Sequence, residues 1–567
     1  MVNPRPASFS LSRPDMGTTM GAMMGTTGND KAGRRFNTVV RIAGIFTVLM
    51  ALAPLVVILS SWGSDQTEVW QHLIATQLST LLRNTLVLII GVGIGVTLLG
   101  VSLAWLTVMC EFPGRRWLDW GLMLPMAMPA YVLAFVVLGI FDFAGPLQQG
   151  LHGWLGSEYR YIDVRHEAVV IAVLVLVFYP YVYMLARSAF LAQSTDMMEA
   201  ARVLGANRWR AFISVAIPMA RPAIIAGSSL AIMETLADFG TVAVFNYDTF
   251  TTAIYKSWFG LFNLQAAAQL ASLLLLFVAL ALLAEKHSRG NRSYIQSARK
   301  QHRFRQQLSP FYALLASAFC SLVLLIAFIL PVLQLLHWVL ADGLGAIDSR
   351  YLNLLWRTLL LGGSAAVLTV ALALLLAFGR RRAKTQLRAF YDLATLGYAL
   401  PGSVLAVGVM LLFVFLDNHL MISVLNWLGL PPKPLLVGSI FALLAAYWVR
   451  FLAVANGPVD SSLQRIRPSI PEAARGLGAS SWSVLWQIYL PILRPGLLTA
   501  MVLVFVDVMK EMPATLLLRP YNWDTLAVRI YEMTSEGEWQ RAALPALTLI
   551  LVGLLPVIQA VRQSARR

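Results

Sequence analysis

Cysteine, histidine and charge are all scarce in this chain. Of 567 residues, two are cysteine, seven are histidine and 13% are charged. Cys110 and Cys320 both lie in apolar runs, which excludes a disulfide framework and a thiolate metal site. His72, His152, His166, His287, His302, His337 and His419 are scattered over loops and the ends of apolar runs and form no ligand set. No stretch reads Gly-x-x-x-x-Gly-Lys-Ser/Thr. Lys256 precedes Ser257 and Lys384 precedes Thr385, but neither sits in a glycine loop, so ATP hydrolysis by this chain alone is excluded. Strict polar and apolar alternation is also missing, which excludes a membrane β-barrel.

Hydrophobicity is what the chain has in excess. At 58% hydrophobic residues and a mean hydropathy of +0.69, it departs far from soluble composition, where about a quarter of residues are charged. The net charge of +16 does not point to nucleic acid, because Lys and Arg sit in short clusters between apolar runs. Those runs lie at 42–60, 84–109, 117–141, 167–190, 220–245, 263–284, 310–337, 355–378, 391–416, 435–455, 494–518 and 540–560. Each covers about 30 Å of hydrocarbon at about 1.5 Å per residue. The fold class expected is therefore an all-α integral membrane protein with twelve transmembrane helices. Lys and Arg fall mostly on the side of the N-terminus, which places both termini in the cytoplasm. Ala51-Leu52-Ala53 looks like a signal-cleavage site, but Pro54 follows and the apolar run continues, so the first helix is expected to be retained.

Residues 1–36, rich in Met, Gly, Thr and Pro, read as a mobile cytoplasmic tail. Residues 286–309 carry Lys286, Arg289, Arg292, Arg299, Lys300, Arg303 and Arg305 and read as a solvated linker lying near anionic lipid headgroups. The linker separates a six-span half at 37–285 from a second at 310–567. The halves are copies. Glu199-Ala200-Ala201-Arg202-Val203-Leu204-Gly205-Ala206-Asn207-Arg208-Trp209 returns 273 residues later as Glu472-Ala473-Ala474-Arg475-Gly476-Leu477-Gly478-Ala479-Ser480-Ser481-Trp482. The same offset maps Pro218 onto Pro491 and Arg221-Pro222 onto Arg494-Pro495; Tyr247-Asp248-Thr249 matches Trp523-Asp524-Thr525 after a three-residue insertion. Six spans per half give both copies one orientation, hence parallel repeats.

Asp196 and Ser469 each stand three residues before an acidic residue, the pattern of a capping box, so a helix of about eight residues is expected at each island. Gly205 and Gly478 are placed to end it in the left-handed region. Leu204 with Trp209, and Leu477 with Trp482, leave apolar side chains for a partner.

The islands, with Ile488-Tyr489-Leu490-Pro491 ten residues after Gly478, resemble the cytoplasmic loop signature of permease subunits of bacterial ABC importers; Val215-Ala216-Ile217-Pro218 is a conservative departure. The resemblance covers nearly all of both halves and implies a fused pair of permeases in the bacterial inner membrane. It implies no cofactor, two copies of a cytoplasmic ABC ATPase subunit and a periplasmic substrate-binding protein as partners. It also implies a coupling role for Glu199, Ala200, Ala201, Gly205, Trp209, Glu472, Ala473, Ala474, Gly478 and Trp482. Leu236-Ala237-Asp238-Phe239-Gly240-Thr241-Val242 and Lys510-Glu511-Met512-Pro513-Ala514-Thr515-Leu516-Leu517-Leu518-Arg519-Pro520 are similar to stretches of the fused ferric-iron permeases, with Met512 in place of Leu. Thiamine, polyamine and aminophosphonate permeases share the architecture.

Ionisable residues inside spans are costly unless they face a cavity or a partner. Glu234 and Asp238, four apart in the fifth span, map on Asp507 and Glu511 in the eleventh, beside Lys510. Spaced so, each pair is expected on one helical face. Two readings stay open: a polar lock in which Lys510 neutralises one member, or a translocation lining in which Asp238 and Glu511 meet the cargo, since hard oxygen ligands suit a highly charged cation. A proton-driven secondary transporter could use the same carboxylates, but it would have no use for two cytoplasmic helices.

Overall fold

The computed structural model describes residues 26–143, 145–155, 163–193, 203–205, 207, 210, 212–289, 305–342, 347–383 and 385–565. Among them, eleven helices are long and apolar enough to cross a membrane, and a bent pair brings the number to twelve. A helix satisfies its own backbone in hydrocarbon, so these apolar runs have little alternative. The first helix runs Thr26–Ser60, so residues 26–36, expected in the tail, are helical. Most of the linker, 290–304, lies outside the described residues. Its end is held: Gln306–Gln307 pairs in parallel with Cys110–Glu111, and Arg305 lies 3.6 Å from the Glu111 carboxylate.

Four expected spans are broken rather than continuous. Arg115–Ala127 and Ala130–Phe141 meet at 91°, at a break carrying Pro129 and preceded by a 3₁₀ turn, Leu124–Ala127, that holds Pro125. The run 391–416 divides into Thr385–Leu393, a 3₁₀ turn Ala394–Ala399 and, after Pro401, Gly402–Leu416. The runs 220–245 and 494–518 also break, because the helices Ile217–Ala237 and Leu490–Lys510 stop partway. Each of these two helices follows a five-residue π-helical turn, Phe212–Ala216 and Leu485–Tyr489, at the 273 offset.

The sequence halves are not separate bodies. Val40, Val48 and Ala51 of the first helix are buried in a core otherwise made of the second half, while Ala313, Cys320, Leu335 and Trp338 of the seventh span are buried in a core made mostly of the first, which Ala542, Ala546 and Ile550 of the last span also enter. Each half thus lends its leading span to the other. Gly408 permits one such contact, since a Cβ there would stand 2.8 Å from the Pro54 carbonyl oxygen.

Asp417, 1% exposed, shows how an irregular segment is held at the end of such a bundle. The backbone N–H groups of Leu435, Leu436 and Val437 all donate to its carboxylate, at 2.9 to 3.1 Å. Asp417→Ala is expected to cost about 3 kcal/mol, the upper end of the range for stranding a buried donor. Thermal unfolding in detergent measures it, and an unchanged midpoint would show that the loop is held by something else.

Candidate functional site

The second of the two repeated islands folds as a helix at Ser469–Gly476, the expected length, but the expected capping box is absent. Ser469 is already the first helical residue, because Pro468 before it has helical angles, φ −56° and ψ −31°, and no side chain caps the end. The C-terminus is better made. Gly478 has φ +90°; its N–H donates to Arg475 and that of Ala479 to Ala474, each at 3.0 Å, the double closure of a Schellman motif. Gly205 has φ +85° at the equivalent position. Glu199, Ala200, Ala201 and Trp209 lie outside the described residues, while Leu204, Leu477 and Trp482 are 87%, 89% and 50% exposed.

The carboxylates are not arranged as the four-residue spacing predicts. The helix carrying Glu234 ends at Ala237, and Asp238 is extended with ψ 126°; the helix carrying Asp507 ends at Lys510, and Glu511 is extended with ψ 112°. The pairs therefore do not share helical faces. In the second half a new helix, Pro513–Leu518, opens with proline at its first position, where the missing N–H costs nothing; in the first, the new helix is Gly240–Val244. Each freed carboxylate turns onto the helix that follows. Asp238 accepts from the Val242 N–H at 3.2 Å and the Thr241 hydroxyl at 3.0 Å, and Glu511 from the Ala514 N–H at 3.1 Å.

The two breaks face one another. A Cβ on Gly240 would lie 2.7 Å from the Met512 methyl carbon, so the loops pack against each other at this glycine. Phe239, which the repeat aligns with Met512, packs 5.2 Å from Tyr255 and 5.4 Å from Tyr531, themselves repeat equivalents.

Beside this contact is a cavity of about 390 Å³, whose lining includes Glu234, Asp238, Asp507, Lys510 and Glu511 together with Tyr131, Tyr181, Tyr398 and Arg450. All five intramembrane residues singled out by the sequence thus reach one space. Lys510 neutralises no carboxylate by contact; its ammonium donates to the Met126 carbonyl at 3.1 Å, a group freed by the broken third span. Arg450 was not anticipated. Its Nε lies 3.2 Å from Glu511 Oε2, and its Nη1 donates to the Leu400 carbonyl at 3.3 Å, at the other broken span. The available signal was an arginine inside the apolar run 435–455.

The cavity is asymmetric in charge. Four carboxylates come from equivalent positions, but the repeat puts Val177 opposite Arg450 and Ala237 opposite Lys510, so both cations belong to the second half. Glu511 is ion-paired, whereas Glu234 accepts from the neutral Tyr398 hydroxyl at 3.1 Å. Among the described residues, no three His, Cys, Asp or Glu side chains converge closely enough to hold a metal ion.

Two interlocked halves of membrane helices, broken around a charged central cavity, define a solute permease. The chain belongs to the family described as binding-protein-dependent transport system inner membrane component, which it matches twice, over residues 96–287 and 369–567. It is a fused permease of an ABC importer. It is 27% identical over 515 residues to the Fe(3+)-transport system permease protein FbpB 2 of Haemophilus influenzae, covering 90% of this chain and 94% of that protein. Against the ferric transport system permease protein FbpB of Actinobacillus pleuropneumoniae it is 26% identical, covering 76% of this chain and 63% of the relative. The molybdenum transport system permease protein ModB of Escherichia coli is 34% identical over 26% of this chain and 62% of its own length.

Proposed function

We propose that the central cavity is the translocation path of an importer for ferric iron, and that Glu234 and Asp238 are the groups that meet the cation. The observation that carries this reading is the charge of the lining: four carboxylates against two cations, with the first-half pair unmatched by any cation at the equivalent positions. An oxyanion such as molybdate or sulfate would be repelled by such a surface, and the relatives that match along most of the chain are named for ferric transport. The absence of a three-ligand site among the described residues suits a path, which must release its cargo as readily as it takes it.

Both termini are cytoplasmic in this scheme. Two ATPase subunits dock on the segments around Gly205 and Gly478, and a periplasmic binding protein delivers the iron from the opposite face. Closure of the ATPases on ATP favours one arrangement of the two halves over the other, which is what drives the change of access.

The test is uptake of ferric iron into proteoliposomes holding the chain, its ATPase and its binding protein. Uptake is expected to require ATP and to be blocked by vanadate. Glu234→Gln with Asp238→Asn is expected to lower it at least tenfold while the protein elutes as the native complex does. Undiminished uptake by that variant would remove the cavity from the path, and uptake driven by a proton gradient without ATP would overturn the class of mechanism.

A further inference from the structure

At the root of each coupling segment the chain makes an ion pair between equivalent elements, but with the charges redistributed. In the first half Arg187, on the helix Glu167–Ala192 that runs toward the coupling segment, grips Asp119 on the helix Arg115–Gly121 with two parallel bonds, Nε to Oδ1 and Nη2 to Oδ2, both 2.7 Å. The Tyr183 hydroxyl adds a bond to the Asp119 carbonyl at 2.8 Å. The 273 offset carries Asp119 onto Asp392 but Arg187 onto Asp460, so the direct pair cannot form in the second half. There the cation comes from a third element. Arg380, which the repeat aligns with Thr107, reaches Asp392 with Nε at 2.8 Å and Asp460 with Nη1 at 3.3 Å. Arg381 beside it donates to the Leu463 carbonyl at 3.0 Å and the Ile466 carbonyl at 2.7 Å, just ahead of the coupling helix Ser469–Gly476.

Two different residue sets therefore make one connection at one place. It ties the final two turns of the span entering the coupling segment to the short helix that opens the preceding broken span. The first pair is the better shielded, with Arg187 and Asp119 side chains 13% and 24% exposed; in the second half Arg380 and Asp460 are 32% and 25% exposed and Asp392 50%. A guanidinium fork also fixes orientation as well as distance, which a point charge does not.

We propose that these two arginine latches, Arg187–Asp119 and Asp392–Arg380–Asp460, are the positioning residues that carry displacement of the coupling segments into the spans around the cavity. A displacement at the segment then turns the broken span with it; without the latch the segment moves alone. The proposal rests on the ATPase-driven reading above.

The experiment measures iron taken up per ATP hydrolysed by the reconstituted complex of permease, ATPase and binding protein. Arg380→Lys keeps the charge and loses the fork; it is expected to insert normally, hold its ATPase and lower the ratio at least threefold. Arg380→Thr should lower it further. Asp460→Arg combined with Arg380→Thr rebuilds the first-half arrangement in the second half, with the new arginine facing Asp392, and is expected to restore the ratio to within twofold of native. A native ratio in folded Arg380→Lys, or a folded double variant that stays uncoupled, would overturn the latch. If the native chain itself transports without ATP, the coupling reading fails first; if the native complex is coupled and Arg380→Lys changes nothing, only the latch falls.

Discussion

Replacing Gly205 and Gly478 together by valine is expected to abolish iron uptake while leaving the membrane spans inserted. Both glycines sit in the left-handed region, at φ +85° and +90°, where a β-branched residue costs about 1 to 3 kcal/mol. A Cβ at either position would meet nothing within 4 Å, so the penalty falls on the backbone and not on packing. The second coupling helix is eight residues long, too short to be stable by itself, and depends on its closing turn. Valine there would open the Schellman closure and redirect Leu477 and the chain that follows. Asparagine, which visits the left-handed region more readily, gives the graded control: the Asn pair is expected to retain a substantial part of the uptake that the Val pair loses. Uptake assays alongside protease mapping of the inserted protein check both. Normal uptake by the valine variant would remove these segments from energy coupling.

The second large effect is expected at Arg450. Its side chain is 11% exposed and that of Glu511 5%, and Gly402 lies so close to both that a Cβ there would collide with them. Arg450→Leu strands the Glu511 carboxylate in the membrane interior, which for a buried pair costs about 3 to 5 kcal/mol. Arg450→Leu with Glu511→Leu removes both charges and is expected to recover most of that loss, as replacement of a buried pair by apolar groups does. The double variant is also expected to transport, because Glu234 and Asp238 still face the cavity. Thermal unfolding in detergent and uptake in proteoliposomes separate the two roles. A folded but inactive double variant would mean that Glu511 meets the cargo as well as locking the helices.

That pair shows where sequence reasoning stopped. The five ionisable residues were visible because a carboxylate in an apolar run is conspicuous and because the 273 offset repeats it. Their geometry was not. Spacing of four implies a shared helical face only while the helix continues, and here it ends at Ala237 and at Lys510. Pro513 marks the second break in the sequence; Gly240, which could have served equally in a helix, gives no such mark. Lys510 looked like the natural counter-ion because it is adjacent to Glu511, but consecutive residues point away from each other, and its ammonium finds the Met126 carbonyl instead. The Ser469 cap failed for a local reason, since Pro468 had already entered the helix.

The twelve apolar runs, the parallel repeat and the positive φ at Gly205 and Gly478 were legible in the sequence alone. Each depends on local chemistry: runs of about twenty apolar residues must become helices in hydrocarbon, and a positive φ selects glycine. The exchange of leading spans between halves, the pairing of Arg450 with Glu511, the latches at Asp119 and Asp392, and the meeting of all four carboxylates in one cavity were decided only by the tertiary structure. Each joins residues tens to hundreds of positions apart. In an apolar chain many helix faces would pack about equally well, and contacts such as Arg450 with Glu511 and Lys510 with the Met126 carbonyl, made by the few charges and the carbonyls freed at the helix breaks, favour one arrangement over the others.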